Sequence, residues 1–126
     1  MPIISIQPKT REIENELDKQ LSVIRAEIKE AVQLVWKLPP HDIIVNLDQC
    51  TIRNADPAGS AFVVFIDTNP NETLETSSGM LRDTIARVFT ELGLTAGRNV
   101  EIWPRFLPGP WVLIFNGKVE DSVDHH

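Results

Sequence analysis

The second residue of the chain is proline, and the apolar residues Ile3, Ile4 and Ile6 follow at once. Two roles fit a proline in this place. It is a stiff residue at the edge of a strand, or, once Met1 is removed, it is the amino terminus, a secondary amine held by its own ring. An α-amino group has a reference pKa of about 8, and a proline nitrogen lies higher, so the free group is mostly protonated in water. Burial in an apolar pocket penalises the cation and lowers that pKa. The amine then approaches neutrality, where a base can take a proton from the carbon next to a carbonyl. Ile4, Trp103 and Phe106 are candidate walls for such a pocket. If Met1 is retained, Pro2 is an amide without a basic nitrogen. A second unusual stretch is "WPRFLPGPW" at 103–111, where Trp103, Phe106 and Trp111 surround one cation, Arg105. Read as a proline-stiffened loop, it either lines a pocket and stacks on a planar acid or packs an interface with Arg105 at the rim.

Other chemistry finds little footing. The histidines are His41, His125 and His126, with no cysteine or carboxylate at ligand spacing, so no metal site and no cofactor are expected. Cys50, the one cysteine, has no internal disulfide partner and reads as a small apolar residue in a reducing compartment. The formal net charge of −6 opposes non-specific nucleic-acid binding, which depends on neutralising phosphates. No apolar run is long enough to span a membrane, and the first residues lack the pattern of a signal peptide. A cytoplasmic protein without nucleic-acid or membrane partners is the expectation. The 126 residues, 42% apolar and 24% charged, fit one ordinary globular domain over 1–116 followed by a polar tail at 117–126.

The elements that must position Pro2 can be read in order. Residues 3–7 alternate as a short strand ended by Pro8. Thr10 is a plausible N-cap for one long amphipathic helix, its stripe running through Ile13, Leu17, Leu21, Ile24, Ile28, Ala31, Val32 and Val35 to "LPP" at 38–40. A strand at 43–49, turn chemistry at 53–60 and a strongly apolar strand at 61–67 follow. A second helix carries Leu74, Ser78, Leu81, Ile85, Val88 and Leu92, with Gly93 at its stop. Strands at 99–103 and 111–115 complete the chain, separated by "PRFLPGP". The order is β-α-β twice. Ile4 precedes Val45 by 41 positions and Val64 precedes Ile102 by 38, as in a duplicated parallel unit. The expected fold is α/β in two layers: a four-stranded mixed sheet with both helices on one face, plus a short C-terminal strand. Ferredoxin-like topology shares this element order. "AFVVF" and "IIVNL" put apolar residues on both faces of their strands, so the face without helices needs a cover, and self-association is the economical one.

Proline at position 2, the strand that follows it, and two βαβ units together resemble the tautomerase superfamily, which includes 4-oxalocrotonate tautomerase, 5-carboxymethyl-2-hydroxymuconate isomerase and macrophage migration inhibitory factor. "KLPPHDIIVNL" at 37–47 and "ELGLTAGRNVEIW" at 91–103 are similar to passages of the migration inhibitory factors. The resemblance covers roughly residues 2–115. It implies a homotrimer whose sheets close into a barrel, with sites at subunit boundaries. It implies a tautomerase or isomerase in which Pro2 is the general base, acting on a small unsaturated keto or enol carboxylic acid. It also implies cations for the substrate carboxylate: Arg11, Lys37, Arg53 and Arg105 are the candidates, with Trp103 and Phe106 beside them. Each has an ordinary reading as well, Arg11 as a helix-start residue, Lys37 as a helix-end cation and Arg53 as a turn residue. The chain departs from the family pattern in places. Ile43, Ile44 and Val45 stand where the oxalocrotonate enzyme offers an arginine, there is no tyrosine, and "DTNPNET" lacks the paired arginines of decarboxylase and dehalogenase relatives. A non-catalytic trimeric scaffold of the same fold, and a ferredoxin-like regulatory module binding a small ligand, are the alternatives.

Overall fold

A computed structural model describes residues 1–108 and 114–119. The chain begins with β1 (Ile3–Pro8), α1 (Arg11–Lys19), α2 (Leu21–Trp36), a 3-10 turn at Pro40–Asp42 and β2 (Ile44–Leu47). It continues with β3 (Phe62–Thr68), α3 (Glu72–Thr76), α4 (Ser78–Glu91) and β4 (Val100–Phe106), then the short strands β5 (Ile114–Phe115) and β6 (Lys118–Val119). The main sheet has the order β2-β1-β3-β4. β1 pairs parallel with β2, β3 parallel with β4, and the halves meet along an antiparallel β1–β3 seam. Ile4 faces Val45 and Val64 faces Ile102 in register, so the spacing read from the sequence marks true neighbours. Each unit pairs its own two strands directly. A ferredoxin-like sheet splits them with another strand, so that topology is excluded.

One face of the sheet carries the core. Ile4, Ile6, Val45, Phe62, Val64 and Ile66 meet Leu17, Ile24, Ile28 and Val32 from the first half and Leu81, Ile85, Val88 and Phe89 from the second. Each such burial contributes about 1.5–3 kcal/mol, against about 1 kcal/mol for a good N-cap. The stripes therefore hold the helices, and the caps set where they start. Thr10 and Asn71 do this by accepting the backbone N–H of Ile13 and Leu74, each at 3.2 Å.

Four sequence expectations need correction. The long first helix is two helices: at Gln20 (ψ 13°) the N–H donates to Leu17 O at 3.1 Å, a tightened i→i−3 turn. Both pieces bury the same stripe, so periodicity cannot show the break. The second helix is also divided, at Ser77, whose hydroxyl donates to Thr73 O at 3.1 Å in competition with the backbone ladder. "PRF" does not interrupt the fourth strand: β4 runs through Pro104 to Phe106, tolerated because β4 is an edge strand. The C-terminal strand joins a hairpin with β6, turned by Asn116 and Gly117 at φ 52° and 78°. Lys118–Val119 fall within the segment expected as a polar tail. Trp111 and the rest of the expected 111–113 strand lie outside the described residues.

None of the described helices lies on the opposite face of the sheet. Ile3, Ser5, Gln7, Val63, Phe65, Asp67, Glu101, Trp103 and Arg105 alternate onto it, with Trp103 53% exposed.

Candidate functional site

Pro2 is buried at the start of β1, and its carbonyl accepts the N–H of Ile44 at 3.1 Å, which anchors it to β2. Met1 is exposed beside it. Continuing the β1–β3 register by one residue sets Pro2 opposite Thr68, whose partner on β4 is Phe106. Thr68 is 7% exposed and is the one buried polar residue among those described. Its carbonyl accepts the N–H of Leu107 at 2.8 Å, which extends the edge beyond β4. Trp36, the last residue of α2, packs on Phe106 with ring centroids 6.3 Å apart. The indole Nε1 of Trp36 is buried with no acceptor among the described residues. The buried sheet end around Pro2 is thus apolar with two polar side-chain groups, Thr68 and Trp36. Neither was among the sequence candidates. Extending the 61–67 strand by one residue puts Thr68 in the buried phase, and Trp36 stands directly before "KLPP"; those were the available signals.

The predicted cations separate by location. Lys37 shares the Pro2 end. It is the exposed C-cap of α2, in the left-handed region at φ 58°, ψ 36°, with its N–H donating to Gln33 O at 3.0 Å. Arg105 lies on the open face. Its Nε and Nη2 donate to the two oxygens of Asp67 at 2.6 and 2.8 Å, and its guanidinium sits 3.8 Å from the Phe65 ring centroid. The hydrogen bond to Asp67 raises the Arg105 pKa further, so it stays charged. Trp103 is on the same open face, its Nε1 donating to Glu101 at 3.3 Å. Phe106 faces the helices, so Trp103 and Phe106 project to opposite sides of β4 and do not wall one pocket within a protomer. Ile4 is fully buried under the helices. Arg11 follows the end of β1, which runs six residues away from Pro2, so it sits roughly 20 Å from it; Arg53 lies in the loop after β2, which runs parallel to β1 and likewise ends away from Pro2.

Two clefts lie away from Pro2. One of about 270 Å³ is lined by Phe89, Thr90, Thr95, Arg98 and Ile102. Another of about 410 Å³ sits at the far end of the sheet among Lys9, Thr10, Asp56, Arg98 and Asn99. Arg98 borders both and is committed to Glu16, donating to its two oxygens at 3.0 and 2.6 Å. That bond lowers the Glu16 pKa. No group of three or more metal-ligating side chains occurs among the described residues, and none of their helices is long and apolar enough to cross a membrane.

Two unsplit βαβ units joined along an antiparallel seam, with one sheet face that none of the described helices covers, define a class: the chain has the fold of the tautomerase superfamily. Leishmania major MIF2 superposes with a TM-score of 0.63 at 14% identity, over 95% of this chain and 97% of that one. A fused 4-OT, described as a symmetric trimer, gives 0.58 at 15% identity, over 84% and 85%. FG41 malonate semialdehyde decarboxylase inhibited by 3-bromopropiolate gives 0.56 at 16% identity, over 92% and 90%. Neither protein-family models nor curated protein sequences match the chain.

Proposed function

We propose that the protein is a tautomerase or isomerase in which Pro2, freed by removal of Met1, is the general base toward a small unsaturated keto or enol carboxylic acid. The observation that supports this reading most directly is the burial of Pro2 at an apolar sheet end of a tautomerase fold. Burial disfavours the prolyl cation and leaves a base able to work near neutrality. Lys37, exposed at the same end, is the cation for the substrate carboxylate, and Phe106 is an apolar wall. The helix-free face packs against two further copies in a cytoplasmic homotrimer, as its apolar residues and the trimeric fused 4-OT favour. Arg105 and Trp103 then lie between subunits, and Arg11 or Arg53 reaches a Pro2 site only from a neighbouring copy. The non-catalytic scaffold differs from the enzyme in one bond. Intact mass of the natural protein one methionine lighter than the gene product, with 2-hydroxymuconate or phenylenolpyruvate turnover lost in Pro2→Ala, supports the enzyme. A retained Met1, or equal turnover in Pro2→Ala, overturns it.

A further inference from the structure

The row of residues at the Pro2 end can be followed across the whole sheet. Ile3 pairs with Ile44 and Asp67, and Thr68 pairs with Phe106, so the row reads Ile43, Pro2, Thr68, Phe106. All four fall on the helix-bearing side by alternation and burial. Helix α2 lies over the first half, where Arg25 Nε donates to Val45 O at 3.2 Å on β2. Yet the Trp36 ring at its end reaches Phe106 on β4, the far edge strand. The indole therefore reaches from the end of α2 to the Phe106 end of this row, on the side of the sheet that carries Pro2 and Thr68. A buried N–H with no acceptor among the described residues is unfavourable, and an arriving ligand oxygen would supply the bond. The threonine hydroxyl is a second donor that rotates to suit its acceptor.

We propose that Trp36 Nε1–H and the Thr68 hydroxyl are the oxygen-binding donors of the Pro2 site, taking the carbonyl oxygen of a 2-oxo acid as it becomes an enolate. The inference rests on the reading of Pro2 as the base. The prolyl nitrogen takes the proton from carbon, the C–H pair becomes the enolate C=C bond, and the carbonyl π pair moves to oxygen, where the two donors meet it. The prolyl ammonium then returns the proton at the conjugated carbon. Lys37 is left for the carboxylate.

The test is a titration of ¹⁵N-labelled, Met1-free protein with phenylpyruvate, following the indole N–H resonances. Trp103→Phe and Trp111→Phe identify the Trp36 signal by elimination, so the readout does not depend on a variant in the core. The expected result is a saturable shift of the Trp36 N–H, and a kcat for Thr68→Val lower by about ten-fold, the scale of one lost hydrogen bond, with KM changed less. A Trp36 signal unmoved at saturation overturns the donor pair, and leaves the base standing if Pro2→Ala is inactive. A shifted signal with a fully active Pro2→Ala overturns the base and keeps the donors. No saturable phenylpyruvate binding overturns both.

Discussion

Lys37 ends α2 in a backbone conformation where glycine is the usual residue. A side chain there costs about 1 kcal/mol relative to glycine, a cost that a binding role would justify. Lys37→Gly is expected to raise the unfolding temperature while raising KM for a carboxylate substrate by about ten-fold, the scale of one charge-assisted bond. Thermal melts and steady-state kinetics on the same preparation check this; a more stable variant with unchanged KM removes Lys37 from the site. Arg105 shows what residue type alone conceals. Its sequence surroundings mark it as a loop cation, but β4 continues through Pro104 and places it opposite Asp67, 38 positions earlier. A cation is legible from one letter, whereas its engagement depends on a register set by the whole sheet. Thr68 and Trp36 were hidden for a similar reason: both look like core residues until the row beside Pro2 is assembled.

At the scale of elements, the sequence yields type and order well and boundaries less well. Apolar periodicity identifies both helical segments, Thr10 fixes the first start, and Gly93 (φ 75°) fixes the last stop, where Leu94 N–H donates to Phe89 O at 3.0 Å. The breaks at Gln20 and Ser77 preserve the buried stripe and leave no trace in it. "NG" at 116–117 was a hairpin signal available in the sequence. One tie between elements has a pH signature. Glu16 on α1 holds Arg98 beyond α4, and its folded pKa is lowered, chiefly by that hydrogen bond. The pair therefore stabilises the fold above the ordinary carboxylate range, and the effect is lost as pH falls through the lowered folded value. Glu16→Gln should melt earlier than wild type at pH 7 and low salt, with the gap closing in acid below the carboxylate range. A gap independent of pH would assign the loss to packing instead.

Among the described residues, one face of the main sheet carries the helices and the other does not. Phe65 and Trp103 lie on a sheet surface that none of the described helices covers. Light scattering is expected to give three times the 14.2 kDa chain mass, and Trp103→Asp to give the single-chain mass with helix content intact, since that face does not touch the helices. A wild-type monomer would remove the proposed trimer. The two-sided apolar pattern raised the expectation of a cover from sequence alone; which surfaces of a trimer would meet is not legible there, because no element of one chain encodes its neighbour's position.

The antiparallel β1–β3 seam also bears on how many reactive termini this architecture can hold. Ala61 precedes β3 as Pro2 precedes β1, and its N–H donates to Asn99 O at 2.7 Å. The chain thus builds two sheet ends on one plan but has only one beginning. Cutting it before position 61 and placing proline there would create a second starting point on the other half, with Arg98 and Lys9 nearby rather than Lys37. A bisected chain of this kind would give each βαβ unit its own amino terminus, separately tunable from the other.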